Sequence, residues 1–600
     1  TYQLDFKGYA FDPAKEYFLK VQFLQADKKP WAEKGYVQME EQIAVKPAAA
    51  QPAMASVAKG RVAAPVVDGN LLRVKGQGYE LTFDKNTGGL YAATYNGATV
   101  IEPGHGPRLD AFRARTDNDN WMDAKWPKLG LHNLQHKTLS FAQNVTKEGN
   151  IQLIFTVESQ APYGGVDNYS NRDREKDEVY KIVDDKSKPF GPNDFKFTTH
   201  QIYTIYADGS VELESAISSN MPKAKLPRLG YAFEMPKDYR HFTYYARGPV
   251  NNYADRKTGQ FIERHEGIVG EQDIMLPKPQ SMGNREDVRW CALTNDAGQG
   301  VAFVADSTMS ASALPWSHLQ LMGAAHPYQL PTSDATYVHL DTKVAGLGGN
   351  SCGQGGPLAP DCVYGNAYRF GFIMRPVTND NLNTAVKVKP AGQQPISVTR
   401  STVGEVSINS PEANRTVLYT INGGKAQVYK APFNLRDGGI VKAWFKDNAK
   451  LSVEQAFTKI EDVPLSVAFV SSQETGSYDA DLMVDEDTDT FWHTMYSVTV
   501  AQFPHWVDFD ASAVKTMKGF VYVPRQKGDN GLIKDYEIYV SQDGKNWGEP
   551  VAKGSFPNSR ADQRVMFAQP VKARYIRFKA LNSLNGQDYG SAAEFRLLAE

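Results

Sequence analysis

Apolar residues in this chain recur at every second position, and long stretches of helical periodicity are nearly absent. Phe195, Phe197, Thr199, Gln201, Tyr203 and Ile205 alternate with other residues, Asp208-Gly209 follows, and Val211 and Leu213 then alternate with Glu212 and Glu214. Side chains of an extended strand point to opposite faces in turn, so a period of two marks a strand. The Asp-Gly step accepts the positive φ that a tight hairpin requires. Similar segments recur at Ile151–Val157, after Gly149-Asn150, and at Tyr536–Val540, before Asp543-Gly544. The expectation is an all-β protein. Its 600 residues exceed what one core supports, and roughly three to five domains are predicted.

Composition narrows the function classes. A net charge of −2 leaves no electrostatic footprint for nucleic acid or an anionic membrane. No apolar stretch approaches the roughly 18 residues of a membrane span. Three cysteines, Cys291, Cys352 and Cys362, are too few for a disulfide framework, and free thiols are favoured over one Cys352–Cys362 bridge.

Composition shifts suggest boundaries. Residues 46–65 are rich in Ala and Pro and read as a linker. Further shifts fall near Pro376–Asn383 and Glu461–Pro464, and the polar Tyr163–Asp194 segment reads as a long surface insertion. Residues 1–45 carry strand alternation (Leu19, Val21, Phe23) with Trp31 and Tyr36 as anchors. They are too short for a sandwich of their own, so upstream strands are expected to precede Thr1. The chain does not begin with Met and shows no signal peptide, which does not exclude export.

Residues 66–378 contain a string of unusual motifs: Arg115-Thr-Asp-Asn-Asp119, Leu226-Pro-Arg-Leu-Gly230, Arg247-Gly-Pro249 with Asn252-Tyr253 and Asp255-Arg256, Pro279-Gln280, Gly283-Asn-Arg285, Asp287-Val-Arg-Trp290 and Gly346-Leu-Gly-Gly349. Together and in this order they resemble the C-terminal β-sandwich of lac-type β-galactosidases of glycoside hydrolase family 2, a galactose-mutarotase-like fold. Residues 1–45, with Trp31-Ala32 and Glu41-Gln42, are similar to the end of the preceding Ig-like domain. The resemblance implies a retaining hydrolase with two glutamates, about 5 Å apart, on an upstream (β/α)₈ barrel of the same polypeptide. No stretch here alternates strands with helices, so no catalytic residue is expected in this chain. Asp117 and Asp119 read as turn residues, and Glu286 and Asp287, adjacent on a strand, should face opposite ways. The resemblance places Arg247, Gly248, Asn251 and Cys352 at the rim of the barrel's active site. Departures are visible: Ser351-Cys352-Gly353 stands where the family has Ser-Trp-Ser, and Ala246, Val250 and Asn251 replace family residues.

Residues 386–458, with Tyr419-Thr-Ile-Asn-Gly423, Tyr429, Pro432-Phe433 and Val441-Lys-Ala443, resemble the small Ig/Fn3-like domain of chitobiase-type hydrolases, a spacer. Residues 464–600 resemble discoidin-like (F5/8 type C) jelly rolls, the carbohydrate-binding modules of family 32. The marks include Asp485-Glu-Asp-Thr-Asp-Thr-Phe-Trp-His-Thr494, Pro504-His-Trp506, Tyr522-Val-Pro-Arg525, Asp543-Gly544, Trp547 and Ala573-Arg-Tyr-Ile-Arg577. Two sites follow from that resemblance. Glu474, His493, Tyr496, Arg525 and Asn530 match residues that ring galactose. Asp485, Thr490 and Glu594, with backbone carbonyls at Leu482, Asp487 and Ala593, suit a structural Ca²⁺, a hard cation that takes oxygen ligands. No organic cofactor is expected. Galactose-containing glycans and the upstream barrel are the expected partners, in a periplasmic or extracellular setting, and a homo-oligomer stays open. The rival reading is a stand-alone glycan-binding adhesion protein. Mutarotase-like or lyase chemistry has no recognisable His/Glu constellation to support it.

Overall fold

The computed structural model describes residues 5–47, 51–121, 125–167, 182–348, 356–392, 394–488, 490–526 and 528–599. It is all-β, as the alternation predicts. The chain divides into two compact units: Thr1–Thr399 with Ile408–Tyr429 and Val441–Gln455, and Arg400–Ser407 with Lys430–Ile440 and Ala456–Glu600. The division therefore runs through the small C-terminal sandwich expected at 386–458.

The first unit is built on a twelve-stranded sheet packed against a five-stranded meander that runs from Val66–Asp68 to Ala98–Ile101. Leu81, Phe83, Phe155, Tyr203, Tyr231 and Phe303 are buried between them, and Phe83 meets Tyr203 edge-on at 5.3 Å. Burial of each such side chain contributes about 1.5–3 kcal/mol. The expected hairpin is present: Phe197–Ile205 pairs with Val211–Ser219 in the register Ile205↔Val211, and Gly209 turns at φ +81°. One feature departs from simple alternation. All nine residues of Phe197–Ile205 are buried, because the sheet is covered on both faces. On its outer face Glu212 accepts from the Ala391 and Gly392 N–H groups, Arg369 donates to the Pro395 and Asn409 carbonyls, and Gln455 donates to Thr198.

The stretch read as a linker is strapped to this face. Met54, on the short helix Met54–Val57, is fully buried against Tyr206, Ile373 and Val388. The insertion contains a hairpin, Tyr163–Asp167 with Ile182–Pro189. Residues 5–47 form one hairpin, Tyr17–Leu24 with Val37–Lys46. Its Lys20/Gln42 side meets Phe261 and Ile262 of the large sheet, and its Phe23, Met39 and Ile43 are exposed.

In the second unit, a seven-stranded sheet is centred on the long strands His505–Val523 and Gln563–Ala580. Their pairing shifts register between Asp510 and Lys515 and again between Met517 and Gly519. Such irregularities bend a long strand, here around a core of Phe509, Phe520, Phe578, Phe595 and Trp492. At one end, the two-residue strand Trp492–His493 pairs with Ser591–Ala592 and fixes the loops that carry the site.

Candidate functional site

Trp492 is fully buried and donates to the Ser472 carbonyl, which anchors the segment that carries its neighbours. Residues two apart on an extended segment share a side, so Phe491 and His493 turn together toward a cavity of about 290 Å³. Tyr496, Arg525 and Asn530 also line it, and so do Tyr478 and Tyr589. Sequence reasoning named four of these residues: His493, Tyr496, Arg525 and Asn530. It missed Tyr478, Phe491 and Tyr589. Phe491 was legible, lying two residues before His493 on an extended stretch, whereas Tyr478 and Tyr589 come from loops that only the fold brings near.

Each wall has a defined chemistry. His493 Nδ1 lies 2.6 Å from the Thr494 carbonyl, which can only accept, so that nitrogen carries the proton. Burial, reinforced by the Arg525 charge, pushes the His493 pKa down, which favours the neutral ring. Nε2 is then an acceptor. Arg525 donates through Nη1 to the Asn530 carbonyl at 2.9 Å, and its guanidinium carbon lies 4.0 Å from the Phe491 ring centre. Tyr478 stacks behind Phe491 at 4.6 Å. The Tyr496 and Tyr589 rings flank His493 at 5.1 and 5.4 Å, and Tyr496 is 44% exposed. Donors, an acceptor and aromatic faces thus converge on a space the size of one small polar molecule.

Glu474 does not line the cavity. Its carboxylate accepts from the Tyr496 N–H at 2.8 Å, the Ser497 N–H at 3.1 Å and the Ser497 hydroxyl, and these bonds hold its pKa below the usual range. Its own N–H donates to the His493 carbonyl at 2.9 Å. Glu474 therefore holds two walls of the pocket from behind.

The expected cation loop is also assembled. Thr490 Oγ1 donates to Asp485 Oδ2 at 2.8 Å and to the Asp487 carbonyl at 2.8 Å, and the Asp487 N–H donates to Asp485 Oδ1 at 2.9 Å. Leu482 lies on the adjoining 3₁₀ turn Ala480–Met483, and Ala593 is fully buried beside Glu594. Glu594 is 2% exposed, and its Oε1 has no hydrogen-bond partner. Burial, with the facing Asp485 carboxyl, pushes the Glu594 pKa up to about 9. A buried carboxyl facing a half-buried one, with one oxygen of Glu594 unpartnered, is what a hard cation would relieve. Among the described residues no cluster of three or more His, Cys, Asp or Glu side chains could hold a metal, so hydroxyl and carbonyl oxygens would have to complete this set. The residues fit a cation of the Ca²⁺ type.

In the first unit the motifs of the large sandwich converge differently. Buried Arg113 donates to the Ala345 and Gly346 carbonyls and to Asp119. Asp119 also accepts from the Thr116 N–H and hydroxyl. Asp255 accepts from the Leu347 and Gly348 N–H groups at 2.9 and 2.8 Å, and a side chain at Gly346 would lie only 2.5 Å from the Asp255 carboxyl carbon. Arg247 is ion-paired to Asp287 and donates to the Gln260 carbonyl, Gly248 precedes a cis proline, and Asn251 accepts from Arg256 at 2.7 Å. Cys352 lies outside the described residues. Cys291 and Cys362 are buried free thiols. Asp119 serves a turn and an ion pair, while Glu286 bonds Asn284 and Ser310, and Asp287 pairs with Arg247 and Lys257.

With this geometry in view, comparisons place the chain among known proteins. Residues 75–374 match the family described as "Beta galactosidase small chain", and residues 468–595 match the "F5/8 type C domain". The chain belongs to the β-galactosidase small-chain family, and its C-terminal part is a discoidin-like domain. A β-galactosidase of Priestia megaterium is 28% identical over 365 residues, which cover 60% of this chain and 32% of that protein. A sialidase of Micromonospora viridifaciens is 32% identical over 228 residues, 37% of this chain and 34% of that one. A galactose oxidase of Gibberella zeae is 39% identical over 117 residues, 19% of this chain and 17% of that one. The chain thus spans about a third of the length of the first curated relatives it matches. Among solved structures, the family 32 carbohydrate-binding module of Clostridium perfringens NanJ in complex with galactose is 24% identical, with a TM-score of 0.21, covering 23% of this chain and 97% of that one.

Proposed function

We propose that this chain is the non-catalytic, C-terminal part of a retaining β-galactosidase and that its discoidin-like domain binds galactose-type sugars. The observation that carries the binding reading is the convergence of His493, Arg525 and Asn530 with Tyr496 and Tyr589 on one cavity of about 290 Å³. A galactose ring offers hydroxyls to the His493 Nε2 acceptor and the Arg525 donors, and its apolar face suits an aromatic wall. Glu474 acts as a positioning residue, and Tyr589 joins the binding set. A Ca²⁺ ion between Asp485, Thr490 and Glu594 would tie the C-terminal strand Glu594–Ala599 to the loop before His493. Its role is structural.

The family membership, together with the all-β fold, supports placing the catalytic glutamates outside these residues. Arg247, Gly248 and Asn251 then belong to a loop at the rim of the hydrolase site. The isolated chain should not turn over a chromogenic β-galactoside, and robust hydrolysis that survives further purification would end this reading. Calorimetric titration of the same chain tests the binding reading. Galactose should bind with a dissociation constant on the order of 0.1–1 mM, as expected for a shallow single-sugar site, and glucose at least several-fold more weakly. Equal affinity for the two sugars, or none for either, would refute it.

A further inference from the structure

Arg525 brings a cation to the cavity, and an aromatic face lies against it. The Arg525 guanidinium lies 4.0 Å over the Phe491 ring, and Phe491 in turn stacks on Tyr478 at 4.6 Å with 19° between the planes. On the Gly528 side, a Cβ would come within 3.2 Å of Arg525 Nη2, so the φ +75° glycine there permits a close approach. One in-plane donor, Nη1, is spent on the Asn530 carbonyl at 2.9 Å. Phe491 and Gly528 thus bear on the guanidinium, and the Asn530 carbonyl holds one of its in-plane donors.

From this geometry we propose that Phe491 is a positioning residue of the sugar site, a cation–π bed that favours one plane of Arg525 and so aims its N–H edge at the ligand's hydroxyls. This rests on the reading of the cavity as a galactose site and deepens it. A guanidinium donates only in its own plane, so its hydrogen-bond directions are fixed once that plane is fixed. An aliphatic side chain of similar size would fill the same space and exclude the same water, but it would remove the flat face that favours one tilt of the guanidinium. Phe491 also packs against Val521, Val523, Ala593 and Leu598, so truncation to Ala would confuse positioning with stability. Leucine keeps the apolar contact and removes the π face.

The test compares Phe491→Leu and Phe491→Tyr in the whole 600-residue chain, titrated with galactose by calorimetry, with melting temperatures recorded alongside. Phe491→Leu should weaken binding roughly three- to thirty-fold, the range of a desolvated cation–π contact, at a nearly unchanged melting temperature. Phe491→Tyr should restore binding to within about twofold of the parent chain. A second measurement needs no sugar: the Arg525 Nε–H proton resonance should carry a ring-current shift in the parent and the Tyr variant and lose it in the Leu variant. Unchanged affinity in Phe491→Leu, or equal loss in both variants, overturns the proposal while leaving the galactose reading intact. Should the parent chain bind no galactose, the galactose reading fails instead, and an Arg525 resonance indifferent to the Leu substitution would then overturn the bed as well.

Discussion

The loop cluster of the large sandwich and the cavity of the discoidin-like domain are built from similar residues and put them to opposite uses. In the cluster, Arg113, Asp119 and Asp255 spend their hydrogen bonds on the protein's own backbone and on one another, at Ala345, Gly346, Leu347, Gly348 and Thr116. In the cavity, Arg525 donates to the Asn530 carbonyl and His493 to the Thr494 carbonyl, and both side chains line open space. A charged group satisfied internally stabilises a loop, and one left with capacity facing a cavity recognises a ligand. Composition does not separate the two cases. Whether the group lines an open cavity does.

The largest effect expected from this contrast is at Arg525. Arg525→Ala should reduce galactose binding by about two orders of magnitude, the cost of removing a charged donor from a polar site, and leave melting almost unchanged. Isothermal calorimetry with a parallel melting curve checks both halves. Retained binding, or a collapse in melting temperature, would mean that Arg525 is as structural as Arg113.

A smaller effect, with a defined sign, is expected at the cation loop. Without metal, the buried Glu594 carboxyl titrates at about 9, above its ordinary value near 4.5. The folded state then holds a proton that the unfolded state releases. The associated stability is fully present below about pH 4.5 and is lost as pH rises toward 9. A bound cation replaces that proton, so stabilisation by Ca²⁺ should grow from pH 5 to pH 8. At a hundred-fold excess over its dissociation constant the ion adds about 2.7 kcal/mol, a shift of several degrees in melting temperature. Melting with Ca²⁺ and with chelator at both pH values, and again for Asp485→Ala, measures this. A gap that is absent, or that narrows as pH rises, would show that no cation replaces the proton.

How far these features were legible in sequence follows from how local they are. The hairpin through Asp208-Gly209 was readable because alternation and turn chemistry lie within about two dozen residues. The covered outer face of its strand was not, since the groups that bond there, Ala391 and Gly392 on Glu212 and Gln455 on Thr198, come from far along the chain and carry no pattern matched to them. His493, Arg525 and Asn530 sit inside recognisable motifs. Tyr589, between Asp588 and Gly590, looks like any loop aromatic until Trp492–His493 pairs with Ser591–Ala592 and draws it to the cavity. Glu474 shows the reverse difficulty: its position matches a sugar ligand, and only the folded loop brings the Tyr496 and Ser497 donors to its oxygens.

The smallest effect should come from the loop cluster, at Asp255. Its two carboxylate oxygens each take one N–H, from Leu347 and Gly348, and the missing side chain of Gly346 leaves room for that approach. Asparagine has nearly the same shape but only one acceptor atom, so Asp255→Asn turns an amide N–H toward a backbone N–H. One charge-assisted bond is lost and a donor faces a donor, at a cost of about 1–3 kcal/mol confined to this loop. Local opening should therefore become easier, and the Leu347 and Gly348 amides should exchange with deuterium about tenfold faster or more. Amides in Val211–Ser219, well inside the sheet, should exchange as before, and galactose affinity should remain unchanged. Gly346→Ala should produce the same local pattern by steric means. Unchanged exchange at Leu347 and Gly348 would show that Asp255 does not hold this loop, and altered galactose binding would show that the two regions are not the independent kinds of site contrasted here.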